Sequence, residues 1–193
     1  MTTDGGNLTM ITGDGRKQAL PSPVPAIAVL DRLRSAFNTG NVFRLAETTA
    51  ISGIAACGYT PTPPHAKLEK TARGCDTRVP CEHFESSVAA IHELKRRGHR
   101  IYAIETVASA KPLWEVEFQF PAAVVFGNEA LGIDPAALEL CDEFIRLPCF
   151  GEKNSLNVGN CAGIVFYEIL RQWLHSQGLD HLARTAPGPA EGE

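Results

Sequence analysis

Three short stretches combine side chains able to hold or polarise a ligand with glycines that let a backbone come close to one. The first is Asn38-Thr39-Gly40-Asn41-Val42-Phe43-Arg44-Leu45-Ala46. Asn38 or Thr39 can cap a helix here, Asn41 and Arg44 share one face, and Val42, Leu45 and Ala46 turn toward a core. A helix start with polar side chains and an arginine one turn in suits a phosphate. The competing reading is a capped helix whose Arg44 pairs with Glu47 or another surface acid. The second stretch, Phe126-Gly127-Asn128-Glu129-Ala130-Leu131-Gly132-Ile133, follows an apolar run. Ligands of open α/β sheets bind beyond the carboxyl ends of strands, and Gly127 and Gly132 admit close backbone approach there. The alternative is a plain strand-to-helix turn with Glu129 facing water. The third stretch runs from Ile145 and Leu147 through Asn154, Ser155, Leu156 and Asn157 to Asn160. Asn154 or Ser155 can cap the helix that follows, and Asn157 and Asn160 place amides on its next turn. Amides on so apolar a helix are costly if buried without partners, which favours binding. The alternative is a capped core helix with Asn157 bonded to a backbone carbonyl.

Each stretch needs a strand and a helix to hold it, and the hydrophobic pattern supplies both. Strands are expected at 26–30, 53–57, 100–104, 122–126 and 144–147, and helices at 41–52, 83–97, 135–140 and 156–175. Such alternation predicts a single α/β domain on a mostly parallel sheet. A length of 193 residues and 44% hydrophobic composition suffice for one well-buried core. The domain is expected over 26–176. The Gly/Pro/Thr-rich segment 1–25 and the Ala/Pro/Gly/Glu-rich tail 177–193 read as disordered.

A formal charge of −4 excludes coating nucleic acid by bulk charge, so any RNA site must be local. Basic residues gather as Lys67, Lys70, Arg73 and Arg78, the better candidate for phosphate contact, and as Lys95, Arg96, Arg97 and Arg100, which reads as a solvated helix end. The six cysteines show no metal-ligand spacing and read as free thiols, so neither disulfide nor metal is expected. No apolar run nears the roughly 20 residues that span a bilayer, and no secretory leader is legible. A cytoplasmic place is the resulting expectation.

Taken together, the order and wording of the three stretches resemble the SpoU/TrmH family of SPOUT RNA 2′-O-ribose methyltransferases. Its motifs N-x-G-x-x-x-R-x-A, G-N-E-x-x-G-I and a third ending in S-L-N-V match Asn38 to Ala46, Gly127 to Ile133, and Leu147 onward through Ser155-Leu156-Asn157-Val158. Lys70-Thr71-Ala72-Arg73-Gly74 also looks like a linker of this family. The resemblance implies a trefoil knot in the C-terminal part, a homodimer and the cofactor S-adenosylmethionine (AdoMet). It assigns Phe126, Gly127, Leu131, Gly132, Ile145, Leu147, Leu156 and Asn157 to the cofactor. It places Arg44, Asn38, Glu129, Ser155 and Asn157 at the ribose. Leu45 stands where many members have Thr, and Gly159-Asn160 where others have Ser-Val or Ser-Asn. The wording of Asn38 to Asn41 is similar to the small TrmL-like members that modify the wobble ribose of tRNA, so tRNA is expected ahead of rRNA.

Other classes fare worse. A Rossmann enzyme needs a glycine-rich turn after the first strand, and none follows 26–30. Cys149 and Ser155 have no histidine placed by sequence to activate them for hydrolysis. A SPOUT base methyltransferase, or a non-catalytic RNA-binding relative, remains the alternative. A guanidinium keeps its proton at neutral pH, which argues that Arg44 grips the phosphate beside the target ribose rather than takes its proton.

Overall fold

The computed structural model describes residues 20–184, so the readings of disorder for 1–19 and 185–193 lie outside the described residues. The first strand, β1 (Val24–Asp31), is followed by α1 (Ala36–Thr48), β2 (Ile51–Cys57), α2 (Ala66–Ala72) and a 3₁₀ turn (Cys75–Thr77). Then come β3 (Cys81–Phe84), α3 (Ser87–Arg96), β4 (Arg100–Ile104), β5 (Lys111–Pro112) and β6 (Ala122–Phe126). The chain ends in α4 (Pro135–Leu138), β7 (Glu143–Arg146), α5 (Val158–Ser176) and α6 (Asp180–Arg184). Seven strands pair in the order β3-β2-β1-β6-β4-β7-β5, and every pairing is parallel.

Helices cover both faces of this sheet, and for that reason its central strands are apolar on both sides. On one face Ala28, Leu30, Val124 and Phe126 pack with Phe43 of α1 and with Phe166 and Ile169 of α5. Phe126 and Phe166 meet edge to face, with ring centroids 5.7 Å apart. On the other face Val29, Ile101, Ala103 and Val125 pack with Ile91 and Leu94 of α3 and Ala137 of α4. The period of two along β1 and β6 thus assigns alternate residues to separate cores.

Capping moves three helix starts from their expected places. Ser35 caps α1 by accepting from the Asn38 N–H, so the helix begins at Ala36, and Asn38 and Thr39 are buried inside its first two turns rather than capping it. Asn157 caps α5 by accepting from the Gly159 N–H, in place of Asn154 or Ser155. The expected helix 83–97 loses its start to the edge strand β3 and begins at Ser87, capped by Ser86. The ordered chain also reaches further than 26–176: β1 already includes Val24, and α6 follows α5.

Candidate active site

The loop after β6 is built around a backbone contact that only glycine permits. A Cβ on Gly127 would stand 2.4 Å from the Gly132 carbonyl carbon and 2.5 Å from the Ile133 nitrogen. The loop therefore folds back on its own start, and Asn128 and Gly132 exchange two backbone hydrogen bonds of 3.0 Å. Gly132 closes the loop at φ +69°, a left-handed conformation natural to glycine. The buried Asn128 amide fastens the outside of the loop: its nitrogen donates to the Arg32 carbonyl (2.6 Å) and the Tyr59 hydroxyl (2.9 Å). Its oxygen accepts from the N–H groups of Ala130 (2.9 Å) and Leu131 (3.0 Å).

With the loop so held, Glu129 reaches the start of α1. Its carboxylate accepts from the backbone N–H groups of Arg34 (3.1 Å) and Ser35 (3.3 Å) and from the Asn38 amide (2.8 Å). Asn38 in turn accepts from the Asn157 amide at 3.2 Å. One chain of side chains, Glu129–Asn38–Asn157, thus ties together the three stretches singled out in the sequence. Partial burial pushes the Glu129 carboxyl upward, but the Arg34 N–H, the Asn38 amide and the Ser35 N–H outweigh it and hold it below the usual carboxylate range. A folded-state pKa below the unfolded value of roughly 4.3 gives a stabilisation that is complete above that pH and fades as the pH falls through the folded value. Glu129→Gln should therefore flatten the acid limb of the melting curve, which thermal unfolding between about pH 3 and pH 7 would show.

Beside this network lies a cleft of about 510 Å³ at the carboxyl ends of β4, β6 and β7. Phe126, Gly127, Glu129, Gly132, Ile145, Leu147, Ser155, Leu156 and Asn157 line it, as the sequence expects of nine of the assigned residues. Asn38 does not line the cleft but bonds to Glu129 and Asn157, which do. Leu131 turns away, 71% exposed, because Asn128 holds its N–H inward. Sequence reasoning missed Glu105 and Thr106, which also line the cleft, Glu105 against the end of the 127–133 loop. Glu105 accepts from the N–H groups of Thr106 (2.9 Å) and Ile133 (3.3 Å), and the strand-end rule applied to β4 would have pointed to it. Cys161, also on the wall, is pushed by burial to a pKa of about 12 and is no nucleophile. All six cysteines are free thiols.

Arg44 is not part of this cleft within one chain. It is exposed on α1, six residues beyond Asn38, and therefore about 120° away around the helix. Its side of α1 faces α2 and the 3₁₀ turn, where Arg44 is near enough to act electrostatically on the Cys75 thiol. Within one chain, helical spacing thus sets Arg44 and Asn38 on different faces of α1. The competing sequence reading is changed as well, since the ion pair of Glu47 shown here is with Arg78, at 3.4 Å.

Residues 25–167 match the model of the SpoU rRNA Methylase family. The chain belongs to this family. An uncharacterized tRNA/rRNA methyltransferase of Synechocystis is 30% identical over 75% of this chain and 52% of its own length. The SpoU-family chain spans about half to three-fifths of the length of the curated relatives it matches. Among solved structures, the Aquifex aeolicus TrmH/SpoU tRNA modifying enzyme superposes with a TM-score of 0.73 at 25% identity, over 88% of this chain and 83% of that one. A structure described in terms of 2-OH methylation of C/U34 on tRNA gives a TM-score of 0.68 at 25% identity, over 78% of this chain and 97% of that one. AdoMet-bound methyltransferases are among the solved structures sharing the fold.

Proposed function

We propose that this SpoU-family chain transfers a methyl group from AdoMet to a ribose 2′-hydroxyl of tRNA. The observation that carries the reading is the Glu129–Asn38–Asn157 network, which joins all three family motifs at the wall of one cleft. The cleft also suits the cofactor: it lies in the size range of small-molecule sites, roughly 300–1,000 Å³, and it combines apolar side chains with the Glu105 carboxylate and loop backbone groups. Ile145, Leu147 and Leu156, with Phe126, would hold the adenine, and the loop from Gly127 to Gly132 would supply backbone groups. A C-terminal trefoil knot is proposed with the fold, as is a cytoplasmic site of action; no helix among the described residues is long and apolar enough to cross a membrane.

When bound, AdoMet supplies an electrophilic methyl on a sulfonium. The residues of the chain have the remaining work of placing a ribose oxygen in line with it. Ser155 and Asn157, on the cleft wall, would aim the hydroxyl, with Asn38 fixing the Asn157 amide. A new O–CH₃ bond forms as the S–CH₃ bond breaks, and the hydroxyl proton passes to a phosphate oxygen or water. Arg44 would grip the adjacent phosphate and favour the developing alkoxide through its field.

Because Arg44 and the cleft lie on different faces of one chain, this mechanism calls for a second chain, and we propose a homodimer. On α5, Ala162, Val165, Phe166, Ile169, Trp173 and Leu174 are consumed by the chain's own core, whereas Ile164 and Tyr167 remain 48% and 53% exposed. That leftover apolar face, wider than one core needs, supports a partner helix there. Sedimentation equilibrium at micromolar concentration should give about twice the 20.8 kDa chain mass. A clean monomer would remove the dimer. The reaction itself is tested by deleting the gene, digesting total tRNA and rRNA and following nucleosides by mass spectrometry. Loss of one 2′-O-methylated nucleoside from tRNA is expected; loss from rRNA, or of a base-methylated nucleoside, would overturn the assignment.

A further inference from the structure

The chain carries two basic clusters, and the structure treats them oppositely. Around α3 the cations are neutralised: Lys95 pairs with Asp142 (2.7 Å), Arg96 with Glu93 (2.7 Å), Arg97 with Glu82 (2.9 Å) and Arg100 with Glu143 (3.5 Å). Along α1, α2 and the 3₁₀ turn the exposed cations are Arg44, Lys67, Lys70, Arg73 and Arg78. Among the described residues only Arg78 of these five has an ion pair, with Glu47. The other acids nearby are Glu69, exposed on α2, and Asp76, which is buried. A protein of net charge −4 thus keeps Arg44, Lys67, Lys70 and Arg73 without an ion pair among the described residues.

Close helix packing joins the two elements that carry these cations. A Cβ on Gly40 would stand 2.8 Å from the Leu68 carbonyl oxygen and 3.0 Å from the Ala72 nitrogen, so α1 and α2 touch backbone to backbone there. One turn on, Arg44 comes level with Cys75, and at the next turn Glu47 meets Arg78. Between Gly40 and Glu47 the helix advances about 10 Å, a length that meets more than one phosphate of a nucleic-acid strand. Arg73, in left-handed conformation at the end of α2, closes the row beside Gly74.

We infer that Lys67, Lys70 and Arg73 form a docking track for the phosphate backbone of the substrate RNA, continuous with Arg44 and separate from the cleft. The inference rests on the proposed RNA methylation and adds where the strand lies outside the site. Such contacts fix the register of an RNA without reading its bases, and each adds to the salt dependence of binding.

The test is a fluorescence-anisotropy titration of the full chain with bulk deproteinised tRNA at several salt concentrations. The triple variant Lys67→Gln/Lys70→Gln/Arg73→Gln should bind at least about tenfold more weakly, with a log–log salt slope shallower by about two. Its KM for RNA should rise while kcat at saturating RNA is kept, which separates docking from catalysis. The control Lys95→Gln/Arg96→Gln should match wild type, because those charges are already spent on acids. Wild-type affinity and slope in the triple variant would overturn the track while leaving the methylation reading intact. A wild-type protein that binds no RNA would overturn both.

Discussion

Replacing Arg44 with alanine should lower single-turnover methylation of the target RNA by about 10²–10³-fold, the loss typical of removing one group that stabilises developing charge. AdoMet affinity, measured by calorimetry, should stay at the wild-type value, because Arg44 does not line the cleft. Arg44→Lys keeps the charge but loses the two-pronged guanidinium contact, so its rate should lie between the two. The side chain is exposed, so neither substitution should alter folding. Near-normal turnover in Arg44→Ala would strike the residue from the mechanism.

Gly127→Ala should have the second large effect, and on a different observable. The added methyl meets Gly132 and Ile133 backbone at 2.4–2.5 Å, atoms that no side-chain rotation can move aside. The loop must open to admit it, at a cost of about 1–3 kcal/mol, or several degrees of melting temperature in a domain of this size. Because the same loop forms one wall of the cleft, AdoMet binding should be lost in protein that still folds at low temperature. Leu156→Asp serves as the companion: this side chain lines the cleft yet is 47% exposed, so stability should hold while affinity falls at least about tenfold. Full affinity in Leu156→Asp would move the cofactor elsewhere. Gly132→Val is a poorer probe, since φ +69° strains any β-branched residue whatever the ligand does.

The fold was legible where burial on both faces leaves long apolar runs, as in Ala122 to Phe126, whose bounds match the strand observed. It was illegible where an element is short and edge-bound. The strand Cys81–Phe84 is polar and half open to solvent, so His83 and Phe84 read as the start of the next helix. The helix Ala66–Ala72 buries only Leu68 and Ala72, too few positions to show a period. At the site, residue types announced the motifs, but their mutual placement did not follow from spacing. Asn38 and Arg44 sit six residues apart in one motif and still look in different directions. Glu105 carries no motif at all, and only the strand order brings it to the same cleft as Leu156.

The way Asn128 uses all its hydrogen-bonding capacity has a kinetic meaning. Of the four bonds of one buried amide, two tie the 127–133 loop to residues just beyond two strands and two hold the loop's own turn, and Glu129 adds three more to the start of α1. That side of the cleft is a fixed jaw. The opposite side, 149–157, has neither helix nor strand, every one of its residues is exposed, and Phe150 stands 93% in solvent. A ligand in the cleft lies against this exposed segment, through Cys149 and Asn154 to Asn157. If the proposed reaction holds, cofactor exchange should be sensitive to residues of this segment that touch neither the methyl group nor the RNA.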